Sequence, residues 1–240
     1  MTSGFLAVDK PLGWSSFQVV GHLRKVTGVK KIGHAGTLDP FATGLLIVAI
    51  GREYTRQIDR FMTAPKTYHV QFVCGIDTDS GDCEGVVKAV QTPHVFESRI
   101  REVIEGSCGT QLQKPPLFSA KKVDGKRAYE IARVGGAVEL EPVEITIYDA
   151  TLDHIHWTPF PLVSATVRCS KGTYIRQLVK DWGRALGCGA YAKDLQRSRI
   201  GGVDIDLALP ADRWTLPDIF ANLYTHDGTD QFKRIAIHAR

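Results

Sequence analysis

The sequence predicts an α+β fold, a mixed and largely antiparallel central sheet flanked by helices. Three observations lead there: apolar residues alternate with period two at 68–74 and 143–147, helical spacing recurs at 17–26, 97–105 and 173–186, and the order is strand-rich with helices interspersed. With 240 residues, 43% of them hydrophobic, the chain can bury a core as one large domain or two small ones. No internal repeat, low-complexity segment or convincing linker divides it.

Ser15 or Ser16 can N-cap a helix with Phe17, Val20, Leu23 and Val26 on its apolar face, ending near Gly28. Gly33-His34-Ala35-Gly36-Thr37-Leu38-Asp39-Pro40-Phe41-Ala42-Thr43-Gly44 then sets a carboxylate inside a glycine-framed turn. The glycines let the backbone pass close to a ligand or take positive φ, and Pro40 discourages helix at Asp39. Leu45 to Ile50 reads as a buried strand that holds the turn rigid. Asp39 is thus the first candidate for chemistry, although spacing alone makes this no more than a turn. Tyr68, Val70, Phe72 and Cys74 alternate with His69 and Gln71, as in a half-buried strand, and an acidic turn then leads to Val86 and Val87. Glu97 to Glu105 reads as helix. Lys114 to Gly136 is polar and basic, with Gly125, Gly135 and Gly136, and reads as a protruding, helix-containing loop. Val143, Ile145 and Ile147 alternate again, and Leu162 to Cys169 is a further strand feeding Ser170-Lys171-Gly172.

The helix from Thr173 to Leu186, closed by Gly187, buries Ile175, Leu178, Val179, Trp182 and Leu186, with Arg176, Lys180 and Arg184 on another face. Arg176 lies in the first turn, where the helix dipole disfavours a cation unless an anion, carboxylate or phosphate, lies opposite. Taken alone it reads as a surface residue. Past Gly201, Trp214, Leu216, Ile219, Phe220 and Leu223 can form one short helix packed on the core.

The net charge of +4 hides segregation. Arg24, Lys25, Lys30 and Lys31 stand with no acid between Lys10 and Asp39. Lys114, Lys121, Lys122, Lys126, Arg127 and Arg133 outweigh Asp124 and Glu130; Arg168, Lys171, Arg176, Lys180 and Arg184 outweigh Asp181; acids crowd the C-terminal end. Each run alone is commonly a solvated face, but three in one chain point to a polyanion track. Five cysteines, odd in number and without a C-x-x-C pair, read as reduced thiols and core filler. The N-terminal apolar run is too short for a signal segment, and none approaches the roughly 20 residues of a membrane span, so a cytoplasmic protein is expected. Lys171-Gly172-Thr173 has the wrong order for a phosphate loop. Asp77 to Asp82 fails as a calcium loop, and His154 and His156 lack a third ligand nearby in sequence, so no metal site is expected.

His34-Ala35-Gly36-Thr37-Leu38-Asp39-Pro40 with Ala42-Thr43-Gly44 and Gly51 resembles the signature of the tRNA pseudouridine-55 synthase family of the TruB type. Further blocks are similar in the family's order. They are Asp9-Lys10-Pro11-Leu12-Gly13 with Ser15-Ser16; Lys66-Thr67-Tyr68; Gly75 with Asp77-Thr78-Asp79 and Asp82; Pro116 with Ser119-Ala120-Lys121-Lys122; and Gly125-Lys126 with Tyr129 and Ala132-Arg133. Cys169 to Arg176, Leu186 to Ala190, and Leu195 with Arg197 complete the series, which covers residues 5–201.

The resemblance implies a pseudouridine synthase-like catalytic fold over 1–206, with 114–136 as a basic insertion that clamps RNA. Residues 207–240 are then a short tail, with no full C-terminal RNA-binding domain expected. It implies isomerisation of uridine 55 in the tRNA T loop: the C1′–N1 bond breaks, the base turns, and C1′ joins C5. Nothing is oxidised and no group is donated, so no cofactor is needed. Asp39 would be the catalytic group, attacking ribose or base or taking the C2′ proton. Arg176 would pair with Asp39 and keep it ionised, and Tyr68 would lie against the flipped base and handle the C5 proton. His34 would insert beside the displaced nucleotide and Leu195 pack the pocket; Asp82, Tyr174 and Lys10 would serve substrate binding. Lys121, Lys122, Lys126, Arg127 and Arg197 would meet the RNA backbone. The expected partner is tRNA through its T arm, with no membrane and no protein partner, the chain acting as a monomer. Two other classes remain open on the residues alone: a glycoside or nucleoside hydrolase pairing Asp39 with an acid of the 77–84 turn, and a noncatalytic tRNA-binding or folding module.

Overall fold

The computed structural model describes residues 3–116, 122, 123, 126, 127 and 140–225, the four isolated residues by strand pairing alone. The chain forms two compact units, Met1–Tyr68 with Gln196–Arg240, and His69–Leu195.

In the first unit, β1 (Gly4–Lys10) pairs antiparallel with β3 (Ala42–Ile50), from Gly4 opposite Ile50 to Lys10 opposite Gly44. β2 (Ile32–His34) pairs with the end of β3, placing His34 opposite Val48. β3 is buried on both faces, which is why it reads as an unbroken apolar run. Leu45, Ile47 and Ala49 meet Phe5, Tyr54, Phe61 and Ile200 on one side; Leu46, Val48 and Ile50 meet Val19, Val20, Leu23 and Trp214 on the other. α1 (Ser16–Thr27) starts at a capping box in which Ser15 and Gln18 satisfy each other's backbone N–H, and ends at Gly28 with φ 71°. Its buried arc is Ser16, Val19, Val20 and Leu23. Phe17, expected in that arc, is 68% exposed, since it is rotated about 100° from Ser16; the Arg24 guanidinium lies over its ring. α2 (Arg52–Thr55) and α3 (Asp59–Thr63), absent from the sequence reading, follow β3. The expected late helix is α6 (Leu216–Ala221), capped by Thr215, with Ile219 and the preceding Trp214 buried and Leu216 and Phe220 turned outward. The segment before it adds a parallel bridge, Val8 to Leu209, and β13 (Val203–Asp204) pairs with Arg199 and Ile200.

In the second unit, β10 (Val143–His156) lies between β11 (Leu162–Cys169) and β7 (Gly109–Gln113), antiparallel to both, with two register shifts along β11. β4 (Lys66–Cys74) and β12 (Ala190–Ile200) each span a unit boundary. α4 (Glu97–Glu105) turns Ile100 and Ile104 inward, and α5 (Ile175–Ala185) buries Ile175, Leu178, Val179 and Trp182, the Trp182 ring lying 5.5 Å from Phe72. The acidic turn sits in a small hairpin of β5 (Ile76–Thr78) and β6 (Val87–Val90). Within the basic loop, β8 (Lys122–Val123) pairs with β9 (Lys126–Arg127); a helix in that loop and Lys121 fall outside the described residues. Cys74, Cys169 and Cys188 are core, but Cys83 and Cys108 are exposed, one in the acidic turn and one at the mouth of β7, so these two fill no core. No described helix is long and apolar enough to cross a membrane.

Candidate active site

The Asp39 turn connects β2 to β3 in the first unit, and the chemistry of its neighbours fixes it residue by residue. Pro40 occupies the second position of a tight turn closed by the Ala42 N–H on Asp39 O at 3.1 Å. Leu38 and Phe41 are buried on either side, so two apolar anchors present the half-buried Asp39 between them. Three buried polar side chains then hold the turn backbone. Ser16 Oγ accepts the Leu38 N–H at 2.8 Å and donates to Leu38 O at 3.3 Å. Lys10, fully buried, donates through Nζ to Pro11 O at 3.0 Å, to Trp14 O at 2.5 Å and to Pro40 O at 3.4 Å, and the Gly13 N–H reaches Pro40 O at 2.8 Å. Arg197, 1% exposed, donates to Leu45 O at 2.8 Å and Gly36 O at 3.2 Å.

Arg197, expected to meet the RNA backbone, thus ties both ends of the Asp39 turn through its guanidinium. Lys10, expected to serve substrate binding, donates to the backbone carbonyls of Pro11, Trp14 and Pro40. Gly44 lies at φ 104°, and a Cβ there would meet the Arg197 backbone N at 2.8 Å, so the strand passes where only glycine fits. His34 ends β2, half-buried. Tyr68 is buried in β4, two residues after Lys66, whose Nζ donates to Phe61 O, Met62 O and Ala64 O at 3.2, 2.6 and 2.7 Å. That buried lysine caps the end of α3 and sets where the Tyr68 strand begins.

In the second unit the acidic turn is gripped by α5. Arg176 NH1 donates to Asp82 Oδ2 and to Ser80 O, both at 3.0 Å, and the two charged side chains are 4% and 5% exposed. Asp82 Oδ1 accepts from Ser80 Oγ at 2.6 Å and from the Glu84 N–H at 3.0 Å. One turn along, Lys180 Nζ donates to Thr78 O at 2.8 Å and pairs with Asp77 at 3.1 Å. Arg176, which alone reads as a surface cation, and Asp82 of the acidic turn are therefore a buried ion pair. Of the three cations on that helix face only Arg184 is broadly exposed, paired with Asp181. Tyr174 caps α5, and its N–H and C=O are both taken by the side-chain amide of Gln113, at 2.8 and 3.1 Å. Leu195 is buried in β12. Lys122, Lys126 and Arg127 lie in β8 and β9.

Sequence reasoning gave no structural role to Ser16 beyond capping, none to Lys66 beyond its motif, and missed Gln113. The signal for Gln113 was slight: a polar residue closing a strand just before the basic loop. Lys66 carried a better one, a lysine at the start of an apolar strand where an amine would need partners.

Residues 24–175 match the sequence model of the TruB family pseudouridylate synthase, N terminal domain. The tRNA pseudouridine synthase B of Protochlamydia amoebophila is 43% identical over 225 residues, covering 93% of this chain and 84% of that protein. The one from Chlamydia abortus is 40% identical over 233 residues and covers 95% of each. Among solved structures, a chain in a Cbf5-Nop10-Gar1 complex aligns with a TM-score of 0.69 and 27% identity, over 98% of this chain and 59% of that one. A chain in an H/ACA RNP bound to a substrate RNA containing 2′-deoxyuridine aligns with a TM-score of 0.66 and 25% identity, over 97% of this chain and 58% of that one. A family match across more than half the sequence, joined to near full-length relatives, accounts for the α+β fold: the chain belongs to the TruB family of pseudouridylate synthases.

Proposed function

We propose that this chain converts uridine 55 of the tRNA T loop to pseudouridine with Asp39 as the catalytic group. Formation of pseudouridine in tRNA follows from family membership and from relatives named for that activity at about 40% identity over nearly the whole chain; the choice of uridine and of residue is our reading. The observation that carries it is the support of the Asp39 turn. Three buried polar side chains and two apolar anchors fix one short segment whose only ionisable side chain is Asp39. Such preorganisation is what a reaction at a glycosidic carbon requires of a single carboxylate.

In this reading Arg176 keeps Asp39 ionised, Tyr68 faces the extruded base and handles the C5 proton, and His34 and Leu195 shape its pocket. Asp82 takes a supporting part, holding Arg176 in place through their 3.0 Å pair. Lys121, Lys122, Lys126 and Arg127 supply phosphate contacts to the T arm. The isomerisation moves no electrons to or from the substrate, so it calls for no redox group or donor. Five cysteines, odd in number and without a C-x-x-C pair, fit action in a reducing compartment, the cytoplasm, where the chain would work as a monomer without a protein partner. A hydrolase would need a second carboxylate, and of the four acids in the 77–84 turn three, Asp77, Asp79 and Asp82, are committed to Lys180, to the Ser80 and Val86 N–H groups, and to Arg176.

The test is turnover on a T-arm RNA, read by nucleoside mapping. A synthase leaves RNA mass unchanged while uridine disappears, a hydrolase frees uracil, and a binding module does neither. Asp39→Asn and Asp39→Ala are expected to abolish conversion while tRNA affinity stays within about 1 kcal/mol of wild type, because phosphate contacts elsewhere carry binding. Clear product from the alanine variant would remove Asp39 from the mechanism.

A further inference from the structure

α1 leaves one aromatic residue outside the core. Phe17 is 68% exposed, and Leu12, in the turn leading into the helix, is 66% exposed. Both stand next to residues that hold the Asp39 turn. Gly13 donates its N–H to Pro40 O at 2.8 Å, and Ser16 Oγ accepts the Leu38 N–H at 2.8 Å. Toward the other end of the helix Arg24 donates to Ile32 O of β2 at 3.1 Å, so α1 lies along the segment that carries His34 and leads into the turn. The same guanidinium stands 5.8 Å from the centre of the Phe17 ring. Gly21, one turn beyond Phe17, puts no side chain over it, and a Cβ there would meet nothing within 4 Å. The ring is thus backed by a cation and otherwise open.

Charge decides what such a ring can receive. Between Lys10 and Asp39 the chain has no aspartate or glutamate. Lys25, Lys30 and Lys31 are exposed, and among the described residues neither they nor Arg24 pair with a carboxylate. The centre of a protein–protein contact is depleted of charge, so a lone phenyl among cations is a poor seat for a second protein. It suits a polyanion whose units carry flat π-faces: bases stack on aromatic rings, while lysines neutralise the phosphates between them. A paired base shows only its edges, so the nucleotide that stacks is an unpaired one.

We propose that Phe17 is a stacking platform for one unpaired loop nucleotide of the RNA substrate, distinct from the nucleotide that meets Asp39. The proposal rests on the reading of this chain as an enzyme of the tRNA T arm. Extruding the target base breaks its stacking with its neighbours. A neighbour that moves from the loop onto the Phe17 ring recovers part of that loss, with Lys25, Lys30 and Lys31 available to the adjoining phosphates.

The test is equilibrium binding of a T-arm RNA across a range of salt by wild type, Phe17→Ala, Phe17→Leu and Phe17→Trp. Phe17→Ala is expected to weaken affinity roughly tenfold, Phe17→Leu to do nearly the same and Phe17→Trp to keep it, all with one salt slope, because stacking releases no counterion. A series of T-arm RNAs, each with one loop nucleotide made abasic, then identifies the base. At one position other than the target uridine, the abasic RNA is expected to lose a similar factor with wild type and nothing further with Phe17→Ala. The inference is overturned if Phe17→Ala binds within about twofold of wild type, if leucine serves as well as tryptophan, or if no abasic RNA removes the difference between wild type and Phe17→Ala. Phe17 lies outside the core, so the variants are expected to melt with wild type, and the leucine and tryptophan variants decide where the alanine variant does not fold. Binding needs no turnover, so a chain that grips RNA through Phe17 but forms no pseudouridine would sink the proposed reaction and keep the platform.

Discussion

Arg176 and Asp82 lie 94 positions apart in sequence, yet each provides a reason for the other's burial. A guanidinium in the first turn of α5 works against the helix dipole, and the Asp82 carboxylate with the Ser80 carbonyl offsets that cost. Removing one partner of such a pair is worse than replacing both, because a charge is left in a dry site. Asp82→Ala is therefore expected to lower stability by about 3 kcal/mol, seen as a fall in the urea midpoint with little change in slope, and to slow turnover more than it weakens tRNA binding. A midpoint unchanged in the alanine variant would make the pair an incidental contact. This pair marks a limit of sequence reading. The dipole argument told that Arg176 needed an anion, but not which one, and Asp82 stands in a turn among Asp77, Asp79, Ser80, Gly81 and Glu84, where nothing singles out one acid for burial. The tie that Arg197 makes was hidden in the same way, since its partners Gly36 and Leu45 are 161 and 152 positions away.

Elements whose pattern is set locally were legible almost to the residue. α4 and β11 run over the residues their periodicity indicates, and α1 starts and stops at its serine cap and Gly28. β12 was not legible, because its inward positions include Ala190, Ala192, Leu195 and Arg197, a set without an apolar alternation. α5 carries a subtler feature. Gly183 sits inside the helix, where glycine costs about 1 kcal/mol relative to alanine, and the compensation is close approach. A Cβ there would collide with Ala190 N, with the Gly189 carbonyl carbon, and at 2.7 Å with Ala190 Cβ. Gly183→Ala is expected to destabilise by roughly 1–3 kcal/mol despite the better helix propensity, since it must push α5 away from the start of β12. Thermal denaturation would check the sign; a more stable variant would mean that this helix has slack.

At the scale of the whole molecule, both units use one device, a buried polar side chain that holds a turn from a distant part of the chain. Lys10, Ser16 and Arg197 do so for the Asp39 turn, and Arg176 for the acidic turn, with the part-buried Lys180 beside it. The resemblance located both turns, while the pattern of hydrophobicity could not show what secures them. Asp9 shows how such wiring enters the pH dependence of stability. It stands beside Lys10 in β1, opposite Leu45, and its N–H donates to Leu209 O at 3.0 Å. Burial pushes its carboxyl above the ordinary 3.8, against the lowering effects of the Gly44 N–H and of Lys10. A carboxyl raised by folding binds its proton more tightly in the native state, so its ionisation opposes folding. The penalty is fully present once pH exceeds the native value and disappears as pH falls to 3.8 and below, where both states are protonated. Asp9→Asn keeps an oxygen that can accept the Gly44 N–H and removes the charge. The variant is expected to melt above wild type at pH 7, with the gain shrinking as pH is lowered through the native value of Asp9 and vanishing near the unfolded one. Melting curves of both proteins across that range would decide it, and a gain that grew toward acid pH would reverse the assigned sign.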